Sequence, residues 1–189
     1  MIQLTNVTAG YPGKTVLRNV TLSLPEKGAV AMMAPSGFGK TTLLRVLAGL
    51  LKPQSGTISG LENKKIAFLF QEDRLLPWLT AEKNVSIVSS AEKARFWLNA
   101  MEIGDPAQYP HEMSGGMQRR VALARAMAFG GGLLLLDEPF KGMDEALRAR
   151  IAARVKDQFP LTVLSVHDQE EAELMGASIL RLDQMMNQH

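Results

Sequence analysis

The sequence contains no cysteine, carries little net charge and lacks an apolar run long enough to span a bilayer. Without cysteine the chain forms neither disulfides nor thiolate metal sites, a composition that suits a reducing compartment. Its 21 basic and 19 acidic residues leave a formal net charge of +2, which provides no large basic field of the kind that nucleic-acid binding requires. The longest apolar stretch, residues 121–136, is interrupted by Arg125 and a run of glycines, so we expect a helix end and a strand there.

Targeting and repeat signals are also missing. The first residues, Met-Ile-Gln-Leu-Thr, do not form a basic region followed by an apolar run, so a secretory signal is not expected. No internal repeat or low-complexity segment is visible. We therefore expect a cytoplasmic globular protein without a nucleic-acid partner.

Length and patterning predict a single α/β domain over residues 1–189. The content of 46% hydrophobic and 21% charged residues is ordinary for a folded protein. Short apolar runs alternate with longer helical patterns, which predicts a largely parallel, mixed sheet after an N-terminal antiparallel β region. The predicted strands are residues 2–7, 16–22, 29–33, 66–70, 133–136 and 162–166.

Three helical patterns stand between these strands. Helices are predicted over residues 40–51 and 91–101, and another starts at Asp144. In the last helix, apolar residues recur at every fourth position up to Phe159, and Pro160 is expected to end it. Residues 79–113 are predicted to form a short helical subdomain between core segments 1–78 and 114–189.

A glycine-rich loop at residues 34–42 lies between a predicted strand and helix. Its backbone N–H groups and the helix N-terminus suit a phosphate group, with Lys40 reaching the β- and γ-phosphates, Thr41 a Mg²⁺ ion and Thr42 the α-phosphate. The strict motif has glycine at the position of Ala34, and a plain strand-to-helix turn is the weaker alternative. The predicted phosphate-binding residues are Ala34, Pro35, Ser36, Gly37, Phe38, Gly39, Lys40, Thr41 and Thr42.

Two carboxylates, Asp137 and Glu138, follow the buried strand predicted at residues 133–136. Open parallel sheets bind ligands at this edge. We expect Asp137 to hold Mg²⁺ and Glu138 to orient or deprotonate an attacking water. A solvated strand end before a proline turn is the alternative, and it would be favoured if the phosphate loop were absent.

The run Ser-Gly-Gly-Met-Gln-Arg-Arg at residues 114–120 resembles the signature sequence of the ABC ATPase family. A helix N-cap explains Ser114 but not the two glycines that follow. The resemblance implies that ATP and Mg²⁺ are bound, with Tyr11 stacking on adenine, Gln71 touching Mg²⁺ and water, and His167 contacting the γ-phosphate. The catalytic residues implied in this way are Lys40, Gln71, Glu138 and His167. The implied metal ligands are Thr41, Gln71 and Asp137. Taken singly, Tyr11 would more often be a packed turn residue, Gln71 a surface residue and His167 a satisfied polar residue.

The resemblance also implies partners. Two copies of the chain would pack head to tail, so that Ser114, Gly115 and Gly116 of one subunit close over the ATP held by the other. The resemblance further implies integral membrane permease subunits as partners and, in the complete system, a solute-binding protein. Contact with the permease would hold the chain at the inner face of the cell membrane. Residues 71–80 resemble those of importers for nitrate, sulfonates, taurine or thiamine precursors, although Leu76 and Trp78 there also fit a purely structural staple.

The chain departs from the family pattern at two places. Lys141, Gly142 and Met143 replace the usual small residues before Asp144, and residues 79–113 are shorter than in comparable members.

The predicted function is an ATP-hydrolysing importer subunit. A soluble non-transport ABC ATPase is the alternative, but such members carry a coiled-coil insertion or a second ABC domain. A regulatory subunit that does not hydrolyse ATP is disfavoured by Glu138 and His167.

Overall fold

The N-terminal part of the chain forms an antiparallel sheet. The computed structural model describes residues 1–183, and in it β1 (Ile2–Tyr11) pairs with β2 (Lys14–Leu24) on one side and β4 (Ser55–Ser59) on the other. Gly13, with a φ of 76°, makes the tight turn between β1 and β2. The predicted antiparallel β region is therefore confirmed as a separate three-stranded sheet.

A second sheet carries the core of the fold. It has the strand order β5-β6-β7-β3-β8, and all of its pairings are parallel. Its strands are β3 (Gly28–Met33), β5 (Ile66–Leu69), β6 (Leu133–Asp137), β7 (Leu161–Ser165) and β8 (Ser178–Arg181). Since parallel strands need crossover connections, the helices cover the sheet. The carboxyl ends of β3, β6 and β7 therefore lie side by side at one edge.

Six α-helices connect these strands within the described residues: α1 (Lys40–Leu47), α2 (Ala81–Ser86), α3 (Ala91–Ala100), α4 (Gly115–Phe129), α5 (Glu145–Val155) and α6 (Gln169–Leu174). A short 3-10 helix, Pro110–Glu112, precedes α4. The helices α2 and α3 pack against each other and against α4. They occupy the segment that was predicted as a helical subdomain. In residues 1–183 no helix is long and apolar enough to cross a membrane.

Buried side chains form two hydrophobic cores on opposite faces of the parallel sheet. Leu133 and Leu135 of β6 belong to the core that contains α1 and the antiparallel sheet, whereas Leu134 and Leu136 belong to the core that contains α4 and α5. All four leucines are fully buried. The alternation of side chains along a strand explains why β6 is apolar without interruption.

Two predicted helices end earlier than expected. α1 stops at Leu47 rather than at residue 51, because Gly49 takes a φ of 70° that breaks the helix. α5 stops at Val155, where Lys156 becomes extended and Asp157 takes a φ of 62°. Phe159 is therefore outside the helix, although it is buried as the apolar pattern implied.

Candidate nucleotide-binding and catalytic site

The glycine-rich loop connects β3 to α1 directly under the antiparallel sheet. Gly37 and Gly39 have φ values of 84° and 91°, a left-handed conformation that favours glycine. A Cβ atom on Gly39 would lie 2.7 Å from Cδ2 of Leu17 and 3.1 Å from Cγ1 of Val16. The loop therefore needs glycine at this position both for its backbone and for its fit against β2.

Lys40 is buried, and its ammonium group lies inside the loop. Nζ donates to the carbonyl oxygen of Ala34 and, at 3.4 Å, to that of Pro35. Ala34 does not have a positive φ, so the residue that replaces the motif's first glycine is unstrained there. The first turn of α1 contains no acidic residue. The ammonium group and the free N–H groups of the helix start therefore make this loop suitable for an anion.

A cleft of about 340 Å³ opens above the loop. Tyr11 is fixed at its rim, because its hydroxyl accepts a hydrogen bond from Nη1 of Arg45 at 2.8 Å. The cleft brings together most of the residues predicted to bind nucleotide, and Lys14 and Val16 join them. Its lining consists of Tyr11, Lys14, Val16, Ser36, Gly37, Gly39, Lys40, Thr41, Thr42, Gln71 and Glu138.

Asp137 ends β6 with its carboxylate buried. Oδ1 accepts a hydrogen bond from Oγ of Ser165 at 2.7 Å. Oδ2 is buried and has no hydrogen-bond partner among the described residues. A buried carboxylate oxygen without a partner is costly unless a donor or a cation satisfies it. Asp137 is thus suited to hold a divalent cation, directly or through water.

Glu138 follows with a φ of 51°, a conformation that few residues other than glycine adopt. Its backbone N–H donates to Oγ of Ser165 at 2.9 Å. Its Oε1 lies 3.1 Å from Nε2 of His167 and accepts a hydrogen bond of 3.5 Å from Nε2 of Gln71. Nζ of Lys141 is 3.8 Å from Oε2. Glu138, Gln71 and His167, which lie far apart in the sequence, therefore meet at the edge of the cleft.

The backbone of His167 is held from α6. Its N–H donates to Oε2 of Glu171 at 3.2 Å, and Nη1 of Arg148 lies 3.7 Å from the other oxygen of the same carboxylate. Burial raises the pKa of Glu171 above its ordinary value. Asp168 accepts from the backbone N–H of Glu171 at 2.9 Å and so caps α6. The position of His167 is thus determined by the first turn of this helix.

The residues of the predicted signature form a different cleft. Ser114 caps α4 by accepting a hydrogen bond from the N–H of Met117 at 3.2 Å. Gly115 and Gly116 line a cleft of about 290 Å³ that also contains Gln71. A Cβ atom on Gly116 would lie 2.7 Å from the carbonyl oxygen of Gly142, which explains why the second glycine is needed. Within one subunit, Gln71 thus lines both clefts.

Three functional residues were missed by the sequence analysis. Ser165 bridges Asp137 and Glu138, Arg119 holds the backbone around them, and Glu171 positions His167. A serine at the end of the apolar strand β7 and an arginine just before the apolar stretch of α4 are weak signals for such roles. Each becomes visible only when the sheet edge is assembled.

Comparisons with known proteins identify the family of the chain. The family model of the ABC transporter matches residues 17–141. An aliphatic sulfonates import ATP-binding protein of Pseudomonas savastanoi is 37% identical, over 90% of this chain and 75% of that protein. A sulfate/thiosulfate import ATP-binding protein of Vibrio vulnificus is 37% identical, over 90% of this chain and 57% of that protein.

A solved structure is similar over almost the whole chain. It is a dimeric ATP-binding cassette in a post-hydrolysis state bound to ADP and Pi, with a TM-score of 0.83, 27% sequence identity and coverage of 96% of this chain and 95% of that one. The predicted fold, the predicted ATPase activity and the predicted importer role are confirmed by these findings. The chain belongs to the ABC transporter family, as an ATP-binding and ATP-hydrolysing subunit of an importer.

Proposed function

We propose that the two clefts of this importer subunit have separate roles, the phosphate-loop cleft in binding and hydrolysing ATP and the signature cleft in closing on a second subunit. The observation that carries the first role is the meeting of Gln71, Glu138 and His167 at the rim of the cleft that Lys40 and the loop glycines form. Lys40 has the length and charge to turn from the loop carbonyls to the phosphates of ATP.

We infer a Mg²⁺ site between the loop and the acid pair. Thr41 and Gln71 line the cleft, and Asp137, whose Oδ2 is unpartnered, directly precedes Glu138 of the same lining. A hydroxyl, an amide oxygen and a carboxylate are the oxygen ligands that Mg²⁺ prefers, with water completing the shell. Mg²⁺ bound there would neutralise charge on the β- and γ-phosphates.

Glu138 is the proposed general base. Its carboxylate accepts the proton of the attacking water, while Gln71 and His167 hold that carboxylate and the γ-phosphate in place. Tyr11 offers its ring to adenine, with Arg45 fixing its hydroxyl. Among the loop residues, Ser36, Gly37, Phe38 and Gly39 would supply backbone N–H donors, and Thr42 a hydroxyl for the α-phosphate. Ala34 and Pro35 contribute the carbonyl oxygens that hold Lys40.

The signature cleft is proposed to act in trans. Gly115 and Gly116 do not line the phosphate-loop cleft of their own subunit. The N-terminus of α4, with Ser114 as its cap, is suited to the γ-phosphate of an ATP molecule held by the partner. The similar cassette that was solved as a dimer supports this arrangement.

A groove of about 280 Å³ is the proposed docking site for a membrane permease subunit. It lies between the parallel sheet and the predicted helical subdomain, and its lining is mostly apolar: Ala48, Leu50, Ile66, Phe68, Phe70, Val88, Arg125, Ala126 and Phe129. The occupant would be a short apolar helix of the permease. Phe70 lines the groove and directly precedes Gln71. An occupant that displaces Phe70 would therefore also move Gln71 and its hydrogen bond to Glu138.

The importer role supports further partners. A solute-binding protein would deliver the solute to the permease, and the chain would lie at the inner face of the membrane. The relatives are named for aliphatic sulfonates and for sulfate/thiosulfate. We therefore propose a sulfonate or sulfate-like oxyanion as the transported solute.

Substituting Glu138→Gln tests the catalytic assignment. The variant keeps ATP affinity but loses hydrolysis, and the purified subunit shifts from monomer to dimer on size-exclusion chromatography when ATP is added. Glu92→Gln, which alters an exposed carboxylate in the first turn of α3, serves as the matched control and behaves like the parent. Hydrolysis at the parental rate by the Glu138→Gln variant would exclude Glu138 as the base.

Substituting Leu50→Glu tests the docking groove. Leu50 is 59% exposed at its rim, so a charge there leaves the fold intact but disfavours an apolar occupant. Copurification with the permease is expected to be lost, while the ATP affinity of the isolated subunit stays unchanged. Ile179→Glu, on the exposed edge strand β8, is the control. Equal permease recovery with both variants would rule the groove out.

A further inference from the structure

Arg119 is buried, yet it lies only five residues after the N-cap of α4. Its guanidinium donates through Nε to the carbonyl oxygen of Glu138 at 3.1 Å and through Nη2 to the carbonyl oxygens of Asp137 and, at 3.0 Å, Glu138. On its other side Nη1 donates to the carbonyl oxygen of Phe70 at 2.6 Å and reaches that of Gln71 at 3.4 Å. One side chain thus binds the ends of both β6 and β5.

The charge of Arg119 is balanced within the same cluster. Nη1 also donates to Oδ1 of Asp73 at 2.9 Å, and the two side chains are 3% and 23% exposed. All the donors of the guanidinium are therefore directed at fixed acceptors. A buried charge that is satisfied by five backbone contacts and one carboxylate is rigid, because any shift of α4 breaks several of these bonds at once.

The bonded carbonyls belong to the residues that orient the proposed base. Glu138 has the left-handed φ of 51°, and its carbonyl is held twice by Arg119. Gln71, which donates to the Glu138 carboxylate, directly follows Phe70, whose carbonyl oxygen accepts from Arg119. At its N-terminal end the same helix presents Ser114, Gly115 and Gly116 to the second cleft.

We propose that Arg119 is a positioning residue that fixes the signature turn of a subunit relative to that subunit's own Glu138 and Gln71. This inference rests on the proposed dimer. In that dimer the signature turn serves the ATP of the partner, whereas Glu138 and Gln71 serve the ATP of their own subunit. Arg119 therefore connects the two ATP sites through one helix end, and a displacement at one site is transmitted to the other.

The first experiment measures hydrolysis and ATP binding by Arg119→Gln and Arg119→Lys in the intact transporter. At saturating ATP, kcat is expected to fall about 100-fold in Arg119→Gln, the effect of a base displaced by about 1 Å. The Kd of the isolated subunit for ATP stays within about threefold, since Arg119 does not line the phosphate-loop cleft. Arg119→Lys keeps the charge and part of the hydrogen bonding, and recovers part of kcat.

Arg154→Gln is the matched control. Arg154 also donates to a backbone carbonyl, that of Ala100, and also pairs with a carboxylate, that of Glu102 at 3.2 Å, but it lies away from both clefts. It is expected to lower the melting temperature without lowering kcat by more than about threefold. If Arg119→Gln lowers kcat only in proportion to its loss of folded protein, Arg119 is merely structural and the proposal is wrong.

The second experiment separates the signature turn from the base. In the Glu138→Gln background, where hydrolysis is already absent, adding Arg119→Gln is expected to raise the ATP concentration needed for dimer formation about tenfold or more. An unchanged concentration would show that Arg119 serves its own Glu138 alone, which overturns the proposed connection. If Glu138→Gln forms no dimer even with Arg119 intact, the proposed dimer itself fails, and the hydrolysis experiment still tests the link to Glu138.

Discussion

Replacing Ser165 by alanine removes the hydroxyl that connects the two acidic residues of the site. Ser165 is fully buried at the end of β7. Its Oγ donates to Oδ1 of Asp137 at 2.7 Å and accepts from the N–H of Glu138 at 2.9 Å. The substitution leaves a buried carboxylate oxygen and a partly buried backbone N–H without their partner.

The expected loss of stability follows from these two bonds. A hydrogen bond to a charged group contributes about 1.5–3 kcal/mol, and an unsatisfied buried N–H costs about 1–3 kcal/mol. Because both losses occur at one atom and are not additive, we expect the free energy of unfolding to fall by about 2–4 kcal/mol. For a chain of this size that corresponds to a decrease of roughly 4–16 °C in melting temperature.

Catalysis should suffer as well, because the left-handed backbone of Glu138 loses one of its restraints. We expect kcat for ATP hydrolysis to fall about tenfold or more, with little change in the Kd for ATP. Urea unfolding followed by circular dichroism gives the stability, and a coupled phosphate-release assay gives kcat.

Ser178→Ala is the control for this substitution. It removes an exposed serine hydroxyl from β8 of the same sheet, whose bond to the carbonyl of Ala29 is 3.3 Å, and it should cost no more than about 0.5 kcal/mol. If Ser165→Ala is as stable as Ser178→Ala and hydrolyses ATP at the parental rate, Ser165 does not hold the acid pair.

Three further predictions concern the loop, the signature turn and an ion pair. Lys40→Ala should abolish ATP binding measured by calorimetry while leaving the circular dichroism spectrum unchanged; a Kd within about threefold of the parent would contradict the anion site. Ser114→Arg should lower hydrolysis about 100-fold but leave ATP binding by the monomer intact, and undiminished turnover would contradict the role in trans. Hydrogen bonds from Arg150 lower the pKa of Glu102 below its ordinary value of 4.5, so the pair stabilises the fold above that pH and its contribution is lost as the pH falls through the lowered pKa. Glu102→Gln should therefore cost about 0.5–1 kcal/mol at pH 7 in urea unfolding and progressively less below pH 4.5, and a cost that does not depend on pH would contradict this.

Much of the fold was predictable because its signals are local. An uninterrupted apolar strand such as β6, followed by Asp137, requires burial on both faces, and the loop glycines require a tight connection between β3 and α1. The early end of α1 was not predicted, because Gly49 was treated as part of the helix. β4, with the sequence Ser-Gly-Thr-Ile-Ser, shows no apolar alternation and is a strand only because β1 offers it an edge.

The candidate site was predictable where its motifs are continuous in the sequence. Lys40 and Thr41 belong to one loop, and Asp137 is followed directly by Glu138. The bonds of Arg119, by contrast, join residues 46–49 positions apart in the chain on the side of β5. No local pattern encodes such contacts, since they depend on which strands become neighbours. The structure also explains Ala34, whose carbonyl rather than its side chain takes part in the loop.

The burial of β6 on both faces determines which assay detects substitutions in the core most sensitively. The strand is packed on both faces, and the acid pair stands at its carboxyl end. Because protein interiors are close-packed, we expect the removal of a methylene group from Leu134 or Leu135 to displace the strand and, with it, Asp137 and Glu138. Turnover depends steeply on a shift of that size, whereas melting temperature responds only to the energy lost. ATP hydrolysis is thus the more sensitive gauge of core quality in this protein, and screens for lost transport should recover leucine substitutions far from any nucleotide.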